Sequence, residues 1–150
     1  MSDLDQINEN ILRELSRDGR VSNLDLADRV GLSPSACLRR VQDLERRGII
    51  QGYRAVLDRT QLGTGFVAYV GVGLSNHSKA SQEAFERSIA RSPQVVECHN
   101  ITGSIEYLLR IECADLAAYK VFHTDILGAL ESVNAITSYV VMGSSKDERA

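Results

Sequence analysis

The chain has 150 residues, 43% hydrophobic and 25% charged, with 11 Gly, 2 Pro and a formal net charge of −3. That length fits one ordinary domain or two small ones, and the composition excludes disordered, collagen-like and low-complexity classes. No apolar run nears the ~18 residues of a membrane helix, and the acidic start Met1-Ser2-Asp3-Leu4-Asp5 is not that of a secretory signal. Three cysteines at scattered positions (Cys37, Cys98 and Cys113) argue against a disulfide framework and for a reducing cytoplasmic setting.

Leu4, Ile7, Ile11, Leu12 and Leu15 fall on one helical face, and Asp18-Gly19 ends that run. A second helix opens at Ser22, a capping hydroxyl with Asp25 as its reciprocal partner. Leu24, Ala27 and Val30 are its expected buried face, and Gly31 closes it. Ser33 and Pro34 suit the N-cap and first position of a third helix that reaches about Arg47. Its core stripe is Cys37, Val41 and Leu44, and Gly48 is placed as a left-handed stop. Two short helices around a tight Gly-containing turn describe a helix-turn-helix. A generic three-helix packing unit shares that pattern.

Charge separates the two readings. Residues 1–28 have a net charge of −4, residues 29–63 of +4 and residues 64–150 of −3, and every cation in the basic stretch is an arginine. Local charge sets where a phosphate backbone docks. Away from the core stripe the third helix offers Ser33, Pro34, Ser35 and Ala36, small enough for close approach to base edges. Arg39, Arg40 and Gln42 follow, with reach to guanine or phosphate. Arg46, Arg47 and Arg54 suit sequence-independent backbone contacts. The expected partner is double-stranded DNA.

After Ile50 the rhythm changes to period two. Gln51–Leu57 reads as a connecting strand, with a loop over 58–65. Then come a strand (Phe66–Leu74), a helix (Lys79–Arg91), two strands (Val95–Ile101 and Ile105–Cys113), a helix (Asp115–Leu127) and a strand (Val133–Val141). Phe85 and Ile89 anchor the first of these helices; Leu116, Tyr119, His123, Ile126 and Leu130 mark the second. This βαββαβ order is the ferredoxin-like arrangement, an antiparallel sheet with both helices on one face. The expected class is therefore α+β. Its parts are a helix-turn-helix over 1–50, a connecting strand and linker over 51–65, a ferredoxin-like domain over 66–142 and a flexible tail over 143–150.

Two strands are apolar on both faces. In one, Phe66, Ala68, Val70, Val72 and Leu74 oppose Val67 and Tyr69; in the other, Ile136, Val140 and Met142 oppose Val133, Ala135, Tyr139 and Val141. Helices cover only one face of such a sheet, and an identical sheet from a second chain would cover the other. Enzyme and metal readings fare worse. Gly63-Thr64-Gly65-Phe66-Val67-Ala68 matches a degenerate dinucleotide fingerprint but runs into a strand where a helix is required. Cys98 and His99 are neighbours on a strand and point to opposite faces, with no set of four ligands at zinc spacing. No serine sits in a nucleophile elbow. No catalytic residue, metal or cofactor is expected. The competing classes are a small ferredoxin-like enzyme and a metabolite-binding scaffold whose helices bind protein.

The run Leu4-Asp5, Ile11-Leu12, Asp18-Gly19-Arg20, Val30-Gly31-Leu32-Ser33-Pro34, Cys37-Leu38-Arg39-Arg40-Val41 and Gly48-Ile49-Ile50-Gln51-Gly52-Tyr53 resembles the N-terminal half of the Lrp/AsnC transcription regulators. Glu97-Cys98-His99, Thr102-Gly103, Tyr107-Leu108-Leu109-Arg110 and Ser138-Tyr139-Val140-Val141-Met142 are similar to its second half. The resemblance implies a winged type of helix-turn-helix and a homodimer that associates further, often to an octamer, with a small amino acid as effector rather than a cofactor. It also implies a ligand site between domains of adjacent dimers, around the hairpin Thr102-Gly103-Ser104-Ile105-Glu106-Tyr107, with Asn100 and Ser138 beside it. Many relatives carry Gly-Asp-x-Asp there. Ser104 and Glu106 depart from that pattern, and Asn100 stands where leucine responders carry an apolar residue, so leucine is not carried over as ligand. From the residues alone, Gly103 is a hairpin glycine with positive φ, and Glu106 is either a ligand contact or a strand acid paired with Arg110.

Overall fold

The computed structural model describes residues 4–147. Met1-Ser2-Asp3 and the end of the expected tail, Glu148–Ala150, lie outside the described residues. The chain forms two compact units that divide between Ala55 and Val56, inside the segment expected to connect them.

The first unit holds α1 (Gln6–Arg17), α2 (Asn23–Val30) and α3 (Pro34–Arg46). Each start is set by a side chain. Asp5 accepts from the Asn8 N–H at 2.8 Å, and Ser33 caps α3 ahead of Pro34, where the missing N–H costs nothing. Ser22 accepts from the Asp25 N–H at 3.1 Å, and its hydroxyl donates to the Asp25 carboxylate at 2.7 Å. The reciprocal contact of this cap is therefore side chain to side chain, not to the Ser22 backbone. Gly31 adopts φ 71°, which lets Leu32 N–H return to the Ala27 carbonyl at 2.9 Å and turns the chain into α3.

Ile11, Leu26, Ala27, Cys37 and Leu44 form the core of this unit. The expected α2 stripe is corrected: Leu26 is buried and Leu24 is 67% exposed. The two leucines lie about 200° apart on a helix, so only one faces the core. Leu26, Ala27 and Val30 share one side, with Val30 packed at the edge of that core.

The second unit holds β1 (Phe66–Leu74), α4 (Lys79–Ile89), β2 (Val95–Asn100), β3 (Tyr107–Cys113), α5 (Leu116–Val121, widening into a π-helical turn over Phe122–Leu127) and β4 (Val133–Val140). The sheet is antiparallel in the order β2-β3-β1-β4. Ala68, Val70, Val72 and Leu74 alternate into a core shared with Phe85 and Ile89 of α4 and Leu109 and Ile111 of β3. Tyr119, Phe122 and Leu127 close that core from the last helix. Leu116 points outward instead, and Phe122 takes the core place expected for His123. Val133 also differs from expectation. A register slip between Gly73 and Leu74 inserts an extra β4 residue and turns Val133 onto the core face.

The expected connecting strand is not one. Gln51–Leu57 pairs with no strand among the described residues and is exposed throughout. Its alternating residues suit a pleated surface, but a strand exists only against a neighbour, and none pairs with it among the described residues.

Candidate nucleic-acid interface and effector site

On α3, Ser35, Arg39, Gln42 and Arg46 follow one another at i, i+4, i+7 and i+11 and form one exposed line opposite Cys37 and Leu44. Ser33 and Pro34 are exposed at its start, while Ala36 is half-buried. Ser33 is occupied as the cap, its Oγ 3.3 Å from Ser35 Oγ. Arg39 forms no ion pair among the described residues. Arg46 and Arg47 both pair with Asp43, Arg47 at 3.4 Å.

Arg40 lies off this line. Its Nη1 donates to Asp5 Oδ2 at 2.7 Å and to Asn8 Oδ1 at 3.0 Å. Asn8 is largely buried, so the guanidinium supplies a donor to an amide oxygen with limited access to water. Asp5, capping α1 and facing Arg40, is held below the usual carboxylate range, chiefly by the Asn8 N–H. A cavity of about 420 Å³ between α1 and α3 is lined by Asn8, Arg39, Arg40, Gln42, Asp43 and Arg46. The expectation of Arg40 at base edges is thus not what the free chain presents: the side chain braces α3 against α1. Arg29 and Arg59 are likewise engaged, with Glu14 at 3.3 Å and with Glu112, which leaves the basic stretch less bare than its count.

The expected effector residues fall in three places. Thr102, Gly103 and Ser104 are exposed at the hairpin tip, with Gly103 at φ 140°. Ile105 and Glu106 cross the end of β1: Ile105 lies over Gly71, where a Cβ would stand 2.6 Å from its Cδ1. Glu106 Oε2 accepts from the Leu74 N–H at 2.6 Å, and Oε1 lies 3.0 Å from His77 Nδ1. The alternative pairing of Glu106 with Arg110 does not occur. Asn100 and Tyr107 face the helices and line a cavity of about 290 Å³ with Glu86 and Cys98. Tyr107 is buried and donates to Glu86 Oε1 at 2.7 Å; burial first, then the Glu86 bond, pushes its hydroxyl up to about 12. Ser138 lies elsewhere again, 2.5 Å from the Tyr119 hydroxyl. A single chain therefore does not gather these residues into one pocket.

On the sheet face away from the helices, Arg110 is 4% exposed. It meets Glu97 at 3.8 Å, Glu112 at 3.3 Å and Asp147 at 3.2 Å. The Asp147 contact holds the described part of the expected flexible tail against the sheet. A cavity of about 500 Å³ beside it is lined by Tyr69, Glu97, His99, Leu108, Arg110 and the tail. Sequence reasoning missed this cluster, as it missed His77 and Glu86. Two signals were there: Glu97, Arg110 and Glu112 alternate onto one face of adjacent strands, and Gly71 and Gly73 mark a close approach within a strand.

Residues 4–51 match the winged helix-turn-helix DNA-binding model, and residues 67–150 match the Lrp/AsnC ligand binding domain, more than half of the chain. The chain belongs to the Lrp/AsnC family. Over 144 residues this Lrp/AsnC protein is 41% identical to the leucine-responsive regulatory proteins of Escherichia coli K12 and Salmonella typhimurium, covering 96% of this chain and 88% of each relative. Among solved structures, a transcriptional regulator from Neisseria meningitidis in complex with L-Met superposes with a TM-score of 0.92 at 35% identity, covering 96% of this chain and 93% of the other. An AsnC family regulator from Agrobacterium tumefaciens gives 0.90 at 32% identity, with 96% and 94% covered. The Lrp/AsnC chain is thus a DNA-binding transcription regulator with an N-terminal winged helix-turn-helix and an α+β ligand-binding domain, and not an enzyme. No helix of its described residues is long and apolar enough to cross a membrane.

Proposed function

We propose that α3 reads duplex DNA from its exposed line, with Ser35, Arg39 and Gln42 toward base edges and Arg46 toward phosphate. Ser33, Pro34, Ala36 and Arg47 flank that line, and Arg40 supports it from the side. The supporting observation is that Arg39 stands exposed on α3 with no carboxylate engaged among the described residues, so its guanidinium is available to a guanine edge without breaking any ion pair among them. A second copy of the chain covers the open sheet face, so that two α3 helices meet half-sites about one helical turn apart or a multiple of it. Dimers associate further, to an octamer, in the cytoplasm. The hairpin 102–107, with Asn100 and Ser138, senses a small amino acid, its pocket completed by another chain. L-leucine and L-methionine are the first ligands to test, because relatives are named for the one and solved with the other.

Arg39→Ala is the test. Selected duplex sites should bind about 10- to 100-fold more weakly, with the fold and the oligomer unchanged by circular dichroism and sedimentation; undiminished affinity would defeat the assignment of α3. A thermal-shift screen against the twenty amino acids identifies the effector, since a ligand selective for the native state raises the apparent midpoint.

A further inference from the structure

Resting on the sensing role just proposed for the hairpin, we infer that Glu106 is a positioning residue: its carboxylate seats the hairpin on the end of β1 and is not itself offered to the ligand. The β1–β3 ladder runs from Phe66↔Cys113 to Val72↔Tyr107, so Leu74 lies beyond it. On the other side the β1–β4 register slips between Gly73 and Leu74. The Leu74 amide therefore sits where regular pairing has stopped, and Glu106 Oε2 takes its hydrogen at 2.6 Å. The second oxygen, Oε1, is 3.0 Å from His77 Nδ1. With its side chain only 18% exposed, the carboxylate has both oxygens engaged by the protein.

Three neighbouring contacts lock the same segment. Glu106 N–H donates to the Val72 carbonyl at 3.1 Å, and Ile101 N–H donates to the Glu106 carbonyl at 2.9 Å, which closes the hairpin. Ile105 occupies the space left by the absent Gly71 side chain. A charge-assisted bond from a carboxylate to a backbone amide is stronger than a neutral pair, and it substitutes here for a missing ladder carbonyl. The length of the glutamate matters, because an aspartate at 106 is one methylene short of the Leu74 amide. The seat thus explains why this chain carries a longer acid at a position where the tip and the sheet end must be joined.

Reach and charge separate the seat from a ligand contact. Hydrogen exchange at the Leu74 amide, measured on the full chain without ligand, should be only slightly faster in Glu106→Gln than in the parent, because the amide oxygen still accepts, though without the assistance of charge. Exchange should be roughly tenfold faster in both Glu106→Asp and Glu106→Ala. Equal exchange in all four proteins, or Asp matching the parent while Gln matches Ala, would overturn the seat. In the ligand arm, the thermal shift by L-leucine and L-methionine should survive in Gln and shrink in Asp. A carboxylate that binds the ligand's ammonium group gives the opposite order and also overturns the inference. The exchange arm needs no ligand, so a parent protein that responds to no amino acid would defeat the sensing role while the seat is still decided.

Discussion

Arginine serves opposite purposes in the two units of this regulator. On α3, Arg39, Arg46 and Arg47 are exposed, and their carboxylate partner, where there is one, is the nearby Asp43. In the sheet, Arg110 is enclosed by Glu97, Glu112 and Asp147. Exposed pairs contribute little to stability, about 0–1 kcal/mol, and are readily exchanged for a phosphate. A buried cation with several carboxylates cannot be offered to a ligand, because its departure leaves uncompensated negative charge in a poorly solvated place. Counting charges along the chain treats these arginines alike; burial decides which of them bind and which hold the fold.

Substitutions sharpen that contrast. Arg110→Met should have the largest effect on stability, about 3–5 kcal/mol, read as a lower urea midpoint, since it strands the carboxylates around it; an unchanged midpoint would erase the distinction between the units. Arg39→Ala should leave the midpoint within about 0.5 kcal/mol while weakening DNA binding by about 1–3 kcal/mol. Arg40→Ala is intermediate in character. It should cost about 1 kcal/mol of stability, because Asn8 loses its donor, and leave the slope of log affinity against log salt unchanged. A slope reduced by about one would instead mark Arg40 as a phosphate contact.

Titration separates the units more gently. Tyr107 is held neutral in the folded chain up to about pH 12. An unfolded tyrosine ionises near 10, so between those values the native state binds the extra proton and stability falls as pH rises. Tyr107→Phe should abolish that alkaline loss in a series of denaturant midpoints. Asp5 acts with the opposite sign and more weakly. Its lowered value means that stability present at neutral pH is lost as pH falls through and below 3.8, and Asp5→Asn should flatten that acid limb.

Much of the architecture was legible because it is written in local chemistry. Ser22, Ser33 and Pro34 start helices for reasons within one turn, Gly31 reverses the chain because it tolerates a positive φ, and β1 and its alternation were readable from Phe66 to Leu74. Leu24 against Leu26 was not, since both lie within one turn and only packing selects between them. The strand expected over 51–57 failed for the same kind of reason: pleating is a local preference, whereas pairing needs a neighbour. For the candidate site, the arginine helix was recognisable by composition, and the hairpin only through its likeness to a family.

The sequence by itself determined the helix-turn-helix, the βαββαβ order and the basic helix, because caps, turns and periodicity act over a few residues. Only the tertiary structure decided that Arg40 braces α1, that Arg110 is enclosed by acids and that Glu106 grips Leu74. Apart from Arg110 with Glu112 on the same strand, those contacts join residues 13 to 37 positions apart, and their partners are chosen by how the elements pack, with desolvation setting what each charge is worth.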